Sequence, residues 1–90
     1  MSTLAVTFVS ADRTLWTGEA AQVVVPAIDG SMGILPRMQP TLAVLGQGRV
    51  RIIAENGEAS EREIDGGFVS MDQDVVTIAV DTAARHETSR

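Results

Sequence analysis

The 90-residue sequence contains no cysteine and no tyrosine, and it has a single histidine. Without cysteine the chain has neither disulfides nor thiolate metal sites, which fits a reducing compartment. The histidine, His86, cannot by itself supply the three converging ligands of a metal site, and we expect it in a solvated tail. No serine in the body of the chain has a histidine base near it in sequence. We therefore expect no catalytic residue, no metal ligand, no cofactor and no enzyme activity.

Aromatic residues and clustered positive charge are also scarce. The aromatic residues are Phe8, Trp16 and Phe68, and the seven cationic residues are dispersed arginines in a chain of net charge −5. Nucleic acids and anionic membranes attract clustered cations, and single strands need a platform of aromatic rings. No apolar run approaches the roughly 20 residues of a membrane helix, and the first residues do not resemble a signal peptide. We expect a soluble domain with no nucleic-acid partner and no direct lipid insertion.

Short apolar segments with a period of two, separated by turn residues, make up most of the chain. This pattern predicts an all-β sandwich or barrel, and no window has a helical period long enough for a stable helix. We expect one domain over residues 1–81, followed by a short flexible tail over 82–90. The nine predicted strands cover residues 4–8, 11–18, 19–25, 32–35, 41–45, 49–54, 58–64, 68–71 and 75–80.

Asn56-Gly57 is the strongest hairpin signal in the sequence. A two-residue loop would place Arg51 opposite Arg62, whereas a three-residue loop with Gly57 in a left-handed conformation places Arg51 opposite Glu61. Opposite charges stabilise cross-strand pairs by roughly 0.2–1 kcal/mol, so we predict the three-residue loop. The same register pairs Arg49 with Glu63 and predicts an inner face made of Val50, Ile52 and Ala59.

Residues 25–40 indicate a rigid loop that is presented to another protein. Pro26 cannot donate a ladder hydrogen bond, so we expect it to end the preceding strand or to lie on an edge. Asp29-Gly30 predicts a tight turn, and Pro36 and Pro40 restrict the segment that follows. None of these residues is a plausible nucleophile, metal ligand or phosphate-binding group. The segment therefore favours a binding role over catalysis.

Several motifs recur in the order of a known family, with almost no gaps over residues 4–85. On these residues the sequence resembles the epsilon subunit of F-type ATP synthases, and the glycine–proline pattern around Pro36 is the most specific part. The matching segments are Phe8-Val9-Ser10-Ala11-Asp12, Trp16-Thr17-Gly18-Glu19, Gly30-Ser31-Met32-Gly33-Ile34-Leu35-Pro36 with Pro40, Gly48-Arg49-Val50-Arg51-Ile52, Gly66-Gly67-Phe68-Val69 and Asp81-Thr82-Ala83.

The resemblance implies a flattened sandwich of about ten strands and a non-catalytic function in the central stalk. The subunit would turn with the rotor, link the gamma subunit to the c ring, and couple proton flow to ATP synthesis. It would lie at the cytoplasmic face of the bacterial cell membrane as a peripheral part of the complex. The positions that match the family's contacts with the c ring are Asp29, Gly30, Ser31 and Met32. Those that match its contacts with gamma are Ser10, Met38, Gln39 and Pro40.

The sequence departs from the family pattern at three places. Arg37-Met38-Gln39-Pro40 stands where the family usually has Gly-His-Ala-Pro, and Ser31 stands where it often has an acid, so we expect Asp29 to supply that charge. The α-helical hairpin that follows the sandwich in most bacterial members is not expected here, nor is the ATP binding associated with it. The alternative function, a small ligand- or carbohydrate-binding domain, would need exposed aromatic rings, whereas we expect all three aromatic residues in the core.

Overall fold

The computed structural model describes residues 3–81, and within them every regular element is a β-strand. The strands are β1 (Leu4–Val9), β2 (Thr14–Ala20), β3 (Gln22–Ala27), β4 (Gly30–Ile34), β5 (Thr41–Leu45), β6 (Gly48–Ile53), β7 (Ala59–Ile64), β8 (Gly67–Asp72) and β9 (Val75–Val80). The prediction of an all-β sandwich is confirmed. The predicted flexible tail, with His86, lies outside the described residues.

The strands form one hydrogen-bonded path, β2-β1-β9-β8-β5-β3-β6-β7, with β4 on the other edge of β3. All neighbours are antiparallel except β1 and β9. The path bends between β5 and β3, which pair only at Ala27 and Leu45. This corner separates a first layer, made of β2, β1, β9, β8 and β5, from a second layer made of β7, β6, β3 and β4. Ala21 joins the layers at the opposite side, where its N–H donates to the Ile53 carbonyl (2.7 Å).

The two layers bury an apolar core between their inner faces. Within residues 3–81 no polar or charged side chain is buried, so the core contains hydrocarbon and one thioether only. Burial of these side chains supplies most of the favourable free energy of folding. The first layer contributes Leu4, Val6, Phe8, Ala20, Leu45, Val69, Met71, Val76, Ile78 and Val80, and the second contributes Val23, Val25, Ile34, Val50, Ile52 and Ile64.

The β6–β7 hairpin has the predicted register. Arg51 lies opposite Glu61, and Gly57 has φ 93° in the three-residue loop that the Ala54 N–H closes on the Glu58 carbonyl (2.8 Å). The expected burial of Ala59 is wrong, because the same register places Ala59 opposite Ile53 on the charged outer side, where it is exposed. The other two residues of the predicted inner face, Val50 and Ile52, are buried.

Two strands, β2 and β3, each end two residues later than the sequence predicted. Gly18 does not end β2, which continues to Ala20 because that residue pairs with Leu4 and fills the core. Pro26 does not end β3 either, since it pairs with Ser31 on β4. Pro26 lies where β3 leaves β6 and meets β5, so the hydrogen bond that it cannot donate falls between two partner strands. Its carbonyl still accepts from the Gly46 N–H (2.8 Å).

Candidate interaction surfaces

The residues predicted to contact the c ring lie at the β3–β4 hairpin. The turn is formed by Ile28 and Asp29, one residue earlier than predicted, and Gly30 is already paired with Ala27 as the first residue of β4. Asp29, Gly30 and Ser31 are exposed, whereas Met32 is half-buried and packs against the core. The accessible part of this predicted contact is therefore the turn and the start of β4.

The β3–β4 tip combines one acid with one apolar side chain. Ile28 is 69% exposed. A β-branched apolar residue is unusual in a two-residue turn, where glycine, asparagine and aspartate are common. The Asp29 carboxylate makes no hydrogen bond or ion pair with any residue in the described part of the chain. Both side chains are thus free to contact a partner without first losing a contact within the sandwich.

Ser10, the first residue predicted to contact gamma, lies directly after β1. Its N–H donates to the Arg13 carbonyl (2.8 Å), and its hydroxyl donates to Asp12 Oδ1 (2.9 Å). These bonds close a compact turn between β1 and β2 at the same end of the first layer as the β3–β4 tip. The turn holds Ser10 in a half-buried, fixed position.

Met38, Gln39 and Pro40 lie at the opposite end of the first layer, in the connection from β4 to β5. The Leu35 N–H donates to Met38 Sδ (3.2 Å), and the Thr41 hydroxyl donates to the Gln39 carbonyl (2.8 Å). The connection is therefore held by its own hydrogen bonds, as expected for a rigid loop. Gln39 and Pro40 are exposed, whereas Met38 is half-buried against the core.

The outer side of the first layer joins these two groups of predicted gamma contacts. Side chains that alternate with the core residues form two cross-strand rows over β5, β8, β9 and β1, and neither row contains a charge. The first row consists of Val44, Phe68, Ala79 and Val9, and the second consists of Leu42, Ser70, Thr77 and Thr7. We refer to these eight residues as the outer face.

The outer face is a candidate interaction surface that the sequence analysis did not predict. Leu42, Val44 and Phe68 are 73%, 56% and 49% exposed, and they are adjacent across β5 and β8. The expectation that every aromatic residue lies in the core is wrong for Phe68, because Val69 and Met71 share the inner side of β8 and alternation directs Phe68 outward. That alternation is readable in the sequence and could have identified Phe68.

The outer side of the second layer is charged instead of apolar. Arg49 forms ion pairs with Glu61 (3.3 Å) and Glu63 (3.1 Å), and Arg51 pairs with Glu61 (2.8 Å). The hydrogen bond that Arg49 donates to Glu63, followed by the negative charge of Glu61, raises the pKa of Arg49 above its ordinary value. These exposed side chains satisfy one another, as on a solvated surface. The two layers therefore present opposite chemistry to their surroundings.

Residues 3–81 contain no group of three or more His, Asp or Glu side chains placed to hold a metal ion. They also contain no helix of the length and apolarity needed to cross a bilayer.

The comparisons with known proteins agree with this architecture. Residues 3–86 match the family described as the ATP synthase delta/epsilon chain, β-sandwich domain. The chain belongs to the ATP synthase delta/epsilon family. Among its relatives, the ATP synthase epsilon chain of Alkalilimnicola ehrlichii is 45% identical over 85 residues, which are 94% of this chain and 61% of that protein. The epsilon chain of Micrococcus luteus is 41% identical over 83 residues, 92% of this chain and 91% of that protein.

Chains in two solved structures of other ATP synthases have the same fold as this chain. A chain of the Euglena gracilis mitochondrial ATP synthase, in a structure of OSCP, F1 and the c ring, superposes with a TM-score of 0.83 at 24% identity. The match covers 89% of this chain and 51% of the other. A chain of the Tetrahymena thermophila central stalk and c ring gives a TM-score of 0.71 at 17% identity, covering 90% and 65%. Several of the curated sequence relatives are longer than this chain, which spans about three fifths of their length.

One departure from the expected family pattern lies at a residue with a left-handed backbone. Arg37, which stands where the family pattern has glycine, has φ 72°, a left-handed conformation that glycine adopts without steric cost.

Proposed function

We propose that this chain is a non-catalytic central-stalk subunit of a proton-translocating ATP synthase. It binds the gamma subunit with the outer face and the c ring with the β3–β4 tip, and it turns with them. Through these two contacts it couples proton flow at the ring to ATP synthesis. In a bacterial cell this places it at the cytoplasmic side of the membrane, attached through the complex.

The observation that carries the proposal is the charge-free outer face. The row of Val44, Phe68, Ala79 and Val9, in which the first two are exposed and the last two half-buried, is typical of a surface that another protein covers. Ser10 and Gln39 lie at its two ends, roughly 20–25 Å apart on the basis of strand spacing and rise. A standard interface of about 800 Å² per partner spans that distance. One partner can therefore contact both groups of predicted gamma residues only by covering the outer face.

The mechanical role follows from how the two contact regions are connected. The first layer ends in β5, and β5 is bonded directly to the strand that leads into the tip, because the Ile28 N–H donates to the Val44 carbonyl (3.0 Å). Val44 belongs to the outer face and Ile28 to the tip. Continuous backbone hydrogen bonding and a close-packed core resist deformation, so a force applied at the tip is transmitted to the outer face.

The carbohydrate-binding alternative receives little support from the same surface. Phe68 is an exposed ring, but its cross-strand neighbours are Val44 and Ala79, which offer no side-chain hydrogen bonds to a sugar. Sugar sites combine ring contacts with several fixed polar groups. The outer face is better suited to an apolar protein surface.

The test is binding to the gamma subunit of the same complex. The double variant Leu42→Glu/Phe68→Glu should bind gamma at least 10-fold more weakly, since two carboxylates would have to be desolvated in the interface. Both side chains are exposed, so the fold should persist. Ala59→Glu, which adds an acid on the other layer, serves as the control and should bind normally. Binding by the double variant equal to that of the wild type would exclude the outer face as the gamma surface.

A further inference from the structure

Three non-glycine residues of residues 3–81 have a left-handed backbone, and a hydrogen bond joins two of them, Arg37 and Asp74. The three are Arg37 (φ 72°), Gln73 (φ 51°) and Asp74 (φ 65°). Each such conformation costs free energy for a residue with a Cβ atom. Gln73 and Asp74 are the two loop residues of the β8–β9 hairpin, where positive φ at both positions is the favoured turn geometry, so Arg37 is the residue whose conformation is left to explain.

Arg37 takes part in a hydrogen bond between two connections that are distant in sequence. The Arg37 N–H donates to Asp74 Oδ1 at 2.7 Å, which joins the β4–β5 connection to the β8–β9 turn. A charged acceptor makes a shorter and stronger bond to a backbone N–H than a neutral one does. The bond is available because the left-handed conformation of Arg37 directs its N–H toward the turn.

The same aspartate is attached to the first layer through its backbone. The Asp74 carbonyl accepts from the Ala5 N–H (2.8 Å), and the turn that contains Asp74 connects two strands of the outer face. Asp74 is half-buried, whereas Arg37 is exposed. The β4–β5 connection is therefore fixed to the layer that carries the outer face by one carboxylate, and Met38, Gln39 and Pro40 follow directly.

We propose that Asp74 is a positioning residue for partner binding: its carboxylate holds Arg37 in the left-handed conformation and so presents Gln39 and Pro40 beside the outer face. This inference rests on the proposed function, because it assigns Asp74 a role in the gamma contact. Fixing a loop in its bound conformation strengthens binding by removing the entropic cost of ordering it. Asp74 need not touch the partner itself.

The decisive variant is Asp74→Gly. Glycine tolerates the left-handed backbone at position 74 but provides no side-chain acceptor, so the turn keeps its shape and only the bond to Arg37 is lost. Loss of one hydrogen bond to a charged acceptor should accelerate amide hydrogen exchange at Arg37 about 10-fold and weaken gamma binding about 5- to 10-fold. Asp74→Asn retains an acceptor oxygen and should bind nearly as tightly as the wild type.

A second substitution separates positioning from general stability. In Arg37→Gly/Asp74→Gly, glycine at position 37 adopts φ 72° without the bond, so gamma affinity should recover to within about 2-fold of the wild type. Gln73→Gly is the matched control, since it relieves a left-handed residue in the same turn without removing an acceptor, and its affinity should be unchanged. Thermal unfolding of every variant verifies that each is folded.

The outcomes distinguish this inference from the proposed function. Absence of gamma binding by the wild-type protein would refute the proposed function, and Arg37 exchange in Asp74→Gly would still decide whether the bond fixes the loop. If the wild type binds and Asp74→Gly binds equally well, the inference is overturned. It is also overturned if Asp74→Gly binds weakly but Arg37→Gly does not restore affinity, since Asp74 would then act by direct contact or through the fold.

Discussion

At the scale of single residues, the backbone conformation and the space around it restrict which residue is tolerated at some positions of this domain. Gly67 shows this most clearly, because it has φ 147° and an added Cβ atom would overlap the Ala79 carbonyl oxygen and lie 2.7 Å from Val80 Cα. The backbones of β8 and β9 approach each other at this point more closely than a side chain permits. In the sequence, Gly66-Gly67 indicated only a break between two strands. The close approach at Gly67 depends on the pairing of β8 with β9.

Gly67→Ala should therefore be one of the most destabilising small substitutions in the domain. We expect a loss of about 2–4 kcal/mol in the free energy of unfolding, because strained φ and backbone overlap act together. Urea denaturation measures the loss. Gly46→Ala is the control, since its Cβ would lie 3.6 Å from Ile28 Cγ2 and 3.9 Å from Ile28 Cα, which are ordinary van der Waals distances. This variant should stay within about 1 kcal/mol of the wild type. Equal stability of the two variants would contradict the role of close approach.

At the scale of elements, the β6–β7 hairpin shows what local sequence rules predict well. Its register followed from charge pairing and loop length alone, since both terms act between residues that are close in sequence. The prediction that Ala59 is buried was wrong, because the register that pairs Arg51 with Glu61 directs residue 59 to the outer side as well. The boundaries of β2 and β3 failed because pairing with distant strands, not local composition, decides where those strands end.

Glu61→Arg tests whether the ion pairs stabilise the hairpin. Glu61 accepts from both Arg49 and Arg51, so reversal of its charge places three cations together and should lower the Tm by a few degrees at low salt. Because the pKa of Arg49 is raised, its contribution to stability is fully present at every pH below the ordinary arginine pKa and is lost only as the pH rises above that value. Salt is therefore the useful variable.

The decrease caused by Glu61→Arg should become smaller at about 1 M NaCl, where screening is nearly complete. Glu55→Arg makes the same change of charge in the hairpin loop and should have little effect at either salt concentration. A decrease that is independent of salt would show that Glu61 acts through packing and not through its charge.

At the scale of the whole molecule, the sequence predicted the fold class and proposed two contact regions, but it did not predict how these two regions are arranged relative to each other. Alternation and turn residues are local signals, so nine strands could be recognised. The outer face exists only after β5, β8, β9 and β1 are placed side by side, and this order joins strands up to 70 residues apart. Leu42 and Val44 gave no signal, because both sides of β5 are apolar in sequence and tertiary contacts decide which side is inner.

The proposed coupling role depends on the β3–β4 tip, where Asp29 is exposed and without a partner in the described residues. If Asp29 meets a cationic group on the ring, a partly desolvated ion pair forms there and fixes the contact. Asp29→Arg should then reduce ATP-driven proton pumping in reconstituted vesicles. Glu58→Arg, the same charge change on an exposed residue of the β6–β7 hairpin, should leave pumping near that of the wild type. Both variants should fold, since neither side chain is buried. Equal pumping by the two variants would mean that the ring contact does not depend on the charge of Asp29, and the apolar Ile28 beside it would become the residue to test next.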